Sequence, residues 1–317
     1  MTRHRKEGFS LYCVIDIGSN TVRLVIYRIE GGSIRPILNK KYTVGLAGYV
    51  DAANCLTTEG IDRLVTVLKE YRDILSLLPD CRLYPFATAS LRNVVNTEYV
   101  LETIARETGL QIQVLSGYEE AMLDYRGAIR HTFETEDGLL VDIGGGSAEL
   151  VFFRAKTVLA AHSVPLGSLN LYSRFVEGIL PKKKELATMR REVRQMLKAS
   201  LPPADGYIAE PLCSVGGTAR AALALYQNTR KGKEDGRPAY DAAFLEKVLT
   251  QAEEDPKKLM HRILKIAPDR VHTLVPGLVI LSCVAELYGS RTVLTSPYGV
   301  REGYLSFMLE KEGIHID

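Results

Sequence analysis

Apolar positions recur every three or four residues in several stretches of the chain, a period that predicts helices with one face in a core. TTEGIDRLVTVLKEYRDILSLL, residues 57–78, has apolar residues at this spacing at 61, 64, 65, 68, 71, 74, 75 and 78. The longest apolar run, LVPGLVILSCVAELYG at residues 274–289, contains Pro276, Gly277 and Glu286. It is too short to span a bilayer, so it predicts a buried helix. The segment REGYLSFMLEKEG, residues 301–313, predicts another helix.

A second pattern, two apolar strands around a polar turn, occurs twice. VIDIGSNTVRLVIYR at residues 14–28 matches LVDIGGGSAELVFFR at residues 140–154. Each copy has an apolar strand ending in Asp, a turn rich in small polar residues, and a second strand with β-branched or aromatic residues. This is the pattern of a β-hairpin, in which Gly and Asn supply the positive φ angles of the turn. Two matching hairpins predict two related domains.

The composition of these turns favours phosphate binding. Small residues such as those at 144–147 let several backbone N–H groups converge on one anion, and the hydroxyls of Ser and Thr add donors. An acidic residue precedes each turn, Asp16 in the first copy and Asp142 in the second. A carboxylate repels phosphate, so these residues are more plausible holders of a divalent metal ion that bridges to the phosphate.

A weaker repeat links ATASLRNVVN at residues 87–96 with SVGGTARAAL at residues 214–223. Both predict a strand that leads into a helix through small and hydroxyl-bearing residues, followed by an arginine, Arg92 or Arg220. Backbone donors at a helix start, with a guanidinium nearby, predict a second type of anion site. Alone this signal is weak.

Two adjacent glutamates open a predicted helix between the hairpins, in VLSGYEEAMLDYRGAIRH at residues 114–131. Ser116 and Glu119 have the spacing of a capping box, which gives Glu119 a structural role. Glu120 lies about 100° further around the helix and has no such local partner. It is either a general base that takes a proton from a water attacking phosphorus, or a solvated surface glutamate. The spacing leaves both interpretations open.

Composition narrows the class of protein. The chain has 317 residues, enough for two domains, and its 46% hydrophobic and 25% charged residues are typical of a soluble globular protein. The net charge of +2 gives no support for a nucleic-acid or membrane partner. The basic N-terminal segment lacks a signal-peptide pattern, because Asp16 interrupts its apolar run. Five scattered cysteines without a CxxC pair are expected to be reduced, so a cytoplasmic location is expected.

Eight motifs, in order and spacing, resemble the exopolyphosphatase/guanosine pentaphosphate phosphohydrolase (Ppx/GppA) family, from about residue 12 to residue 308. They are DIGSNTVRL, ATASLRNVVN, LSGYEEA, DIGGGSAELV, VPLGSLNL, SVGGTARA, LVPGLVIL and SPYGVREG. The resemblance implies an α/β fold of the actin-like, sugar kinase and heat-shock chaperone superfamily. That fold has two ribonuclease H-like domains with an active-site cleft between them.

The resemblance also implies roles for individual residues. It makes Glu120 the general base and associates Asp142 and Glu149 with metal and water positioning. Asp16, from its place before the first turn, is a further candidate metal ligand. The cofactor is expected to be Mg²⁺ or another divalent cation. The expected phosphate-binding residues are Gly18, Ser19, Asn20, Thr21, Arg92, Gly145, Gly146, Ser147, Gly217 and Thr218.

The expected domain boundaries are residues 10–128 for the first domain and 129–300 for the second. Residues 301–317 are expected to form a C-terminal helix that packs back near the first domain. Many family members continue into a helical domain resembling HD phosphohydrolases, whereas this sequence stops at Asp317. The segment GLAGYVDAANCLT, residues 45–57, lies where the family tends to have a G-x-G-L turn bordering the cleft, and it matches that turn only loosely. The resemblance therefore says least about which substrate is used.

A helix with a basic face is predicted for PKKKELATMRREVRQMLKAS, residues 181–200. Its basic residues either extend a groove for polyphosphate or, as we favour, form a solvated face. They are Lys182, Lys183, Lys184, Arg190, Arg191 and Arg194.

The leading hypothesis is a hydrolase that releases terminal phosphate from inorganic polyphosphate or guanosine pentaphosphate. Two alternatives stay open at this point: an ATP-dependent kinase or ATPase of the same superfamily, and a sensor that binds polyphosphate or guanosine nucleotides without turnover. The sequence does not decide the oligomeric state, a homodimer included.

Overall fold

The structure is a computed structural model that describes residues 11–78, 80–131, 135–201, 209–230, 238–314 and 316. The chain divides into two compact units, one formed by Met1–Leu115 with Tyr304–Asp317 and the other by Ser116–Gly303. The boundary predicted between residues 128 and 129 falls within a helix of the second unit, Gly117–His131. The domain limits proposed from the sequence stay a prediction.

The first unit contains a five-stranded sheet covered by helices. Its strands are β1 (Leu11–Ile17), β2 (Thr21–Glu30), β3 (Ser33–Thr43), β4 (Cys81–Ala87) and β5 (Gln113–Val114), in the order β3-β2-β1-β4-β5. The helices are α1 (Thr58–Ser76), α2 (Ala89–Arg92) and α3 (Thr97–Thr108). The apolar stripe predicted at residues 61–78 lies on α1, and its buried members Ile61, Leu64 and Leu68 pack into the core of this unit.

The second unit contains a six-stranded sheet in the order β10-β11-β9-β6-β7-β8. The strands are β6 (Gly138–Ile143), β7 (Ala148–Arg154), β8 (Thr157–Val164), β9 (Leu212–Val215), β10 (Ala239–Asp241) and β11 (Thr292–Thr295). The helices are α4 (Gly117–His131), α5 (Ser168–Phe175), α6 (Lys183–Ser200), α7 (Gly216–Thr229), α8 (Ala243–Glu254), α9 (Pro256–Ile266) and α10 (Leu274–Leu287). The last helix, α11 (Val300–Lys311), begins in this unit.

Helix α10 is the predicted buried helix, and every residue from Leu274 to Ala285 is buried. Helix α11 starts in the second unit and continues into the first. Within the first unit, Tyr304 of α11 donates a hydrogen bond to Gln113 Oε1 at 2.7 Å, and its ring packs edge-on against Phe86. In the part of the chain that the structure describes, no helix is both long and apolar enough to cross a membrane.

The two units repeat the same strand order, which confirms the duplication predicted from the hairpins. In the first unit, β1, β2 and β3 form an antiparallel meander and β4 lies parallel to β1 on its other side. In the second unit, β6, β7 and β8 form the same meander and β9 lies parallel to β6. The repeat extends to the turns, since Gly18 N donates to Thr21 O at 3.0 Å and Gly144 N donates to Ser147 O at 2.9 Å.

The basic face of α6 carries several ion pairs. Of the six basic residues predicted to form this face, four pair with carboxylates of the second unit: Lys182 with Glu177, Lys183 with Glu253, Arg190 with Glu246, and Arg194 with Glu286. A groove for an anionic chain needs basic side chains that are not already neutralised. These contacts therefore agree with the favoured interpretation, a charged surface rather than a groove.

The expectation that all cysteines are reduced is wrong for one pair. Cys13 on β1 and Cys81 at the start of β4 form a disulfide, with Cα atoms 6.3 Å apart. The two strands are parallel neighbours, and Leu11 pairs with Cys81. Nothing in the sequence spacing marks this pair, because it depends on the alignment of two strands 68 residues apart. The other three cysteines are free thiols, of which Cys213 and Cys283 are buried.

Candidate active site

The second hairpin turn, residues 144–147, is held by the helix that follows the meander. Ser168 N donates to Gly144 O at 2.9 Å, and the backbone N–H groups of Leu169 and Asn170 both donate to Gly145 O. The Asn170 side chain donates to Gly146 O at 3.2 Å. Residues at the start of α5 thus donate hydrogen bonds to the carbonyl oxygens of Gly144, Gly145 and Gly146. The N–H groups of Gly145 and Gly146 take no part in these bonds, which is the arrangement that a turn binding an anion through its amides requires.

Two acidic side chains lie opposite each other at the base of this turn. Asp142 on β6 pairs directly with Glu149 on β7, so both project from the same face of the sheet. Like charges in directly opposed positions destabilise a sheet. Glu149 is 1% exposed, and Ser163 Oγ on β8 donates to its Oε1 at 2.8 Å.

Glu120 joins this pair from the helix above the sheet. Its side chain is buried, with 7% of its surface exposed, so the alternative of a solvated surface glutamate is wrong. Burial, followed by the charges of Glu120 and Asp142, raises the pKa of Glu149 well above its ordinary value, while hydrogen bonds from Ser163 and Ser147 act in the opposite direction. The three predicted carboxylates are therefore brought together within one unit.

The capping argument for the neighbouring glutamate is confirmed. Ser116 Oγ accepts a hydrogen bond from Glu119 N at 3.2 Å, and Glu119 Oε2 accepts one from Ser116 N at 2.7 Å. Glu119 is exposed, in contrast to Glu120. One of the two adjacent glutamates fixes the start of α4, and the next one along is directed into the protein.

The junction of β9 and α7 adds a cation that the sequence analysis missed. The guanidinium of Arg270 lies directly over Gly217, since a Cβ atom there would be 1.6 Å from Arg270 Nη2. Next to it, Gly216 has a φ of 80°, and a Cβ atom on it would be 2.1 Å from Asp142 Oδ1. Burial lowers the pKa of Arg270, and the charges of Asp269 and Asp142 act in the opposite direction. The two glycines let a guanidinium and a carboxylate approach the helix start closely.

The predicted phosphate residues Gly217 and Thr218 both lie at this helix start. Thr218 is 1% exposed, its hydroxyl lies 3.5 Å from Ile143 O, and its methyl group packs where a Cβ atom on Gly277 would be. Its side chain therefore contributes to packing. Any contact of Thr218 with phosphate is left to its backbone N–H.

The remaining predicted site residues lie in the first unit. The turn Gly18–Thr21 is held like its counterpart, because Ala47 N donates to Ser19 O, and Val44 N and Gly45 N both donate to Asn20 O. The segment that carries Arg92 adjoins the end of β1, where Ser90 Oγ donates to Ile17 O at 2.6 Å. Arg92 itself donates to Leu115 O at 3.1 Å.

The acidic residue of the first hairpin has a different partner. Asp16 pairs with Arg23 across β1 and β2, at the position that corresponds to Asp142 and Glu149 in the second hairpin. The first pair of residues carries opposite charges, and the second carries two like charges. A divalent cation therefore fits the second hairpin better than the first, since only there do two like charges face each other across the strands.

The two carboxylates of the second hairpin, Asp142 and Glu149, are suitable ligands for a magnesium ion. Carboxylate oxygens are the ligands it prefers, and it usually keeps several waters while binding one or two carboxylates together with substrate phosphates. Among the described residues, no group of three or more His, Cys, Asp or Glu side chains is arranged to hold a metal ion by itself. Asp142 and Glu149 are the residues that would hold it.

The sequence matches the model of the Ppx/GppA phosphatase family over residues 25–312. The fold is similar to that of an exopolyphosphatase from Cytophaga hutchinsonii, with a TM-score of 0.82 and 24% identity over 96% of this chain and 98% of that one. It is also similar to a Ppx/GppA family member from Aquifex aeolicus, with a TM-score of 0.77 and 26% identity over 96% and 99% of the two chains. These likenesses confirm the predicted α/β fold with two ribonuclease H-like units.

Proposed function

The chain belongs to the Ppx/GppA phosphatase family, and from this premise we propose that it hydrolyses the terminal phosphoanhydride bond of inorganic polyphosphate. The observation that carries the proposal is the buried carboxylate of Glu120, placed with Asp142 and Glu149 beside a turn whose amides are available to an anion. A hydrolase needs a base beside the phosphate to be attacked. A protein that only binds phosphate has no need of one.

In the proposed reaction, the oxygen of a water molecule forms a bond to the terminal phosphorus and the bridging P–O bond breaks. The shortened polyphosphate leaves with the electron pair of that bond. Glu120 accepts the proton that the water loses, which is the role of a general base. Glu120 lies in the first turn of α4, and the capping box of Ser116 and Glu119 fixes the start of that helix.

Asp142 and Glu149 would hold a divalent cation, whose charge would stabilise the negative charge on the transferred phosphoryl group. Neighbouring residues position these two carboxylates. Ser163 orients the Glu149 carboxylate through its hydrogen bond. Gly216 leaves room for the Asp142 carboxylate beside α7.

Phosphate oxygens are assigned to the backbone amides of Gly145, Gly146 and Ser147, with the Arg270 guanidinium as a charged donor at the start of α7. The first unit carries its own set of donors, in the turn Gly18–Thr21 and at Arg92. These are assigned to phosphate on the same chemical ground.

The test is a phosphate-release assay with short polyphosphate, long polyphosphate, guanosine pentaphosphate and ATP, each with Mg²⁺ and with a chelator. We expect Mg²⁺-dependent release of phosphate from polyphosphate. Release of phosphate from guanosine pentaphosphate but not from polyphosphate would support the proposed hydrolysis and contradict polyphosphate as the substrate. Binding of these compounds without hydrolysis of any would contradict the proposal in favour of a sensor. Transfer from ATP to an alcohol would contradict it in favour of a kinase.

A further inference from the structure

Asp124 is a buried carboxyl group that the proposed reaction does not use. It lies one helical turn after Glu120 on α4, on the same side of the helix. The residue is 0% exposed, and neither carboxylate oxygen has a hydrogen-bond partner among the described residues. Buried carboxyl groups are nearly always hydrogen-bonded or paired, so this one calls for an explanation.

The surroundings place Asp124 in the layer that contains the other acids. Helix α4 packs through Ala121 and Ala128 on one face of the second sheet, together with Leu140 and Val215. Asp142 shares that face because it lies two residues after Leu140 on β6. Two acids on the helix, at positions 120 and 124, thus oppose the two acids of the hairpin, at positions 142 and 149.

The other side of Asp124 is closed by backbone. A Cβ atom on Gly299 would lie 3.1 Å from Asp124 Oδ1 and 3.8 Å from the Cβ atom of Val215. Gly127 packs against the same residue, because a Cβ atom there would be 2.1 Å from Gly299 O. The Asp124 carboxyl group therefore lies against the backbone of Gly299, which leaves no room there for a larger residue.

Asp124 is buried near three other acidic side chains. Burial raises its pKa well above the ordinary value, and the charges of Asp142, Glu120 and Glu149 raise it further. The backbone N–H of Val300 acts in the opposite direction without reaching hydrogen-bonding geometry. An apolar residue of similar size would avoid this cost. A carboxylate at such a position is accounted for if a positive charge is bound nearby.

We propose that Asp124 helps to hold the divalent cation assigned to Asp142 and Glu149, as an acceptor of hydrogen bonds from the water molecules of that cation. This inference rests on the proposed function, because it concerns the cation of that site. Water-mediated contact agrees with the chemistry of Mg²⁺, which usually keeps several waters when one or two carboxylates bind it. Outer carboxylates of this kind affect metal affinity strongly.

The test is Mn²⁺ binding to the metal-free protein without substrate, by electron paramagnetic resonance, for wild type, Asp124→Asn and Glu286→Gln. The last variant is a matched control, since it removes one negative charge from the surface of the same unit, where Glu286 pairs with Arg194. We expect Asp124→Asn to weaken Mn²⁺ binding about 10- to 100-fold. Glu286→Gln should bind as wild type does.

Thermal unfolding gives a second readout. Without metal, Asp124→Asn should unfold at the same temperature as wild type or higher, because a buried charge among like charges has been removed. Added Mn²⁺ should raise the unfolding temperature of wild type more than that of the variant. Should the asparagine variant not fold, Asp124→Ser serves in both measurements.

Equal Mn²⁺ affinity and equal thermal gain for wild type and the Asp124 variant would overturn the inference, as would a wild type that binds no Mn²⁺. The two proposals fail separately. If wild type releases phosphate but the Asp124 variant binds Mn²⁺ as tightly as wild type does, only the inference about Asp124 is contradicted. If Mn²⁺ binding depends on Asp124 but no substrate releases phosphate, only the proposed hydrolase function is contradicted.

Discussion

Two adjacent glycines at the start of α7, Gly216 and Gly217, allow charged side chains to approach the helix closely. Gly217 has the Arg270 guanidinium against its Cα atom, and Gly216 has the Asp142 carboxylate against its own. Any side chain at either position would displace a charged group of the candidate site. The sequence SVGGTARA therefore contains two glycines for steric reasons as well as for the turn.

Gly217→Ala is expected to lower phosphate release about 10²-fold, because its Cβ atom would push the Arg270 guanidinium out of place and small displacements at a site are costly. Gly178→Ala is the matched control, since a Cβ atom there meets only Leu180 O at an ordinary 3.7 Å. Steady-state kinetics of both variants checks this. Activity of Gly217→Ala within about twofold of wild type would show that the position of Arg270 is not important.

At the scale of elements, the two hairpins share their backbone and differ in one cross-strand pair. Asp16 faces Arg23 in the first hairpin, and Asp142 faces Glu149 in the second. The backbone hydrogen bonds of the two turns are nearly the same length. One cross-strand position of a duplicated element thus pairs opposite charges in the first hairpin and like charges in the second.

The disulfide between β1 and β4 is a second feature at this scale. Cys81→Ser is expected to lower the free energy of unfolding by about 2–4 kcal/mol, because the cross-link constrains the unfolded chain. Chemical denaturation with and without dithiothreitol checks this: the reductant should destabilise wild type and leave Cys81→Ser unaffected.

Cys55→Ser is the control for the loss of a thiol, because Cys55 is free. A thiol titration of the denatured, unreduced protein gives an independent answer. Three reactive thiols agree with the disulfide, and five would contradict it.

At the scale of the whole molecule, much of the fold could be predicted from the sequence because it is written in local patterns. The helices α1, α10 and α11, the two hairpins and the presence of two related units follow from apolar periods and turn residues. The distinction between Glu119 and Glu120 followed from a three-residue spacing, and the structure buries the second of them.

The rest depends on contacts between distant segments. Arg270 reaches Gly217, Asp124 lies against Gly299, and Cys13 meets Cys81 only after the sheets and helices have assembled. No spacing in the sequence encodes such pairs. Such contacts place the Arg270 guanidinium beside Gly217 and cross-link the first sheet, which is why they could not be predicted from the sequence.

The most direct test of the central claim is phosphate release by Glu120→Gln beside Glu119→Gln, the same chemical change one residue apart. We expect Glu120→Gln to be about 10²- to 10⁴-fold slower than wild type with an unchanged unfolding temperature, because it lacks the base. Glu119→Gln should keep wild-type turnover, since glutamine also completes a capping box. Wild-type turnover by Glu120→Gln, or loss of activity in Glu119→Gln alone, would contradict the assignment of Glu120 as the base.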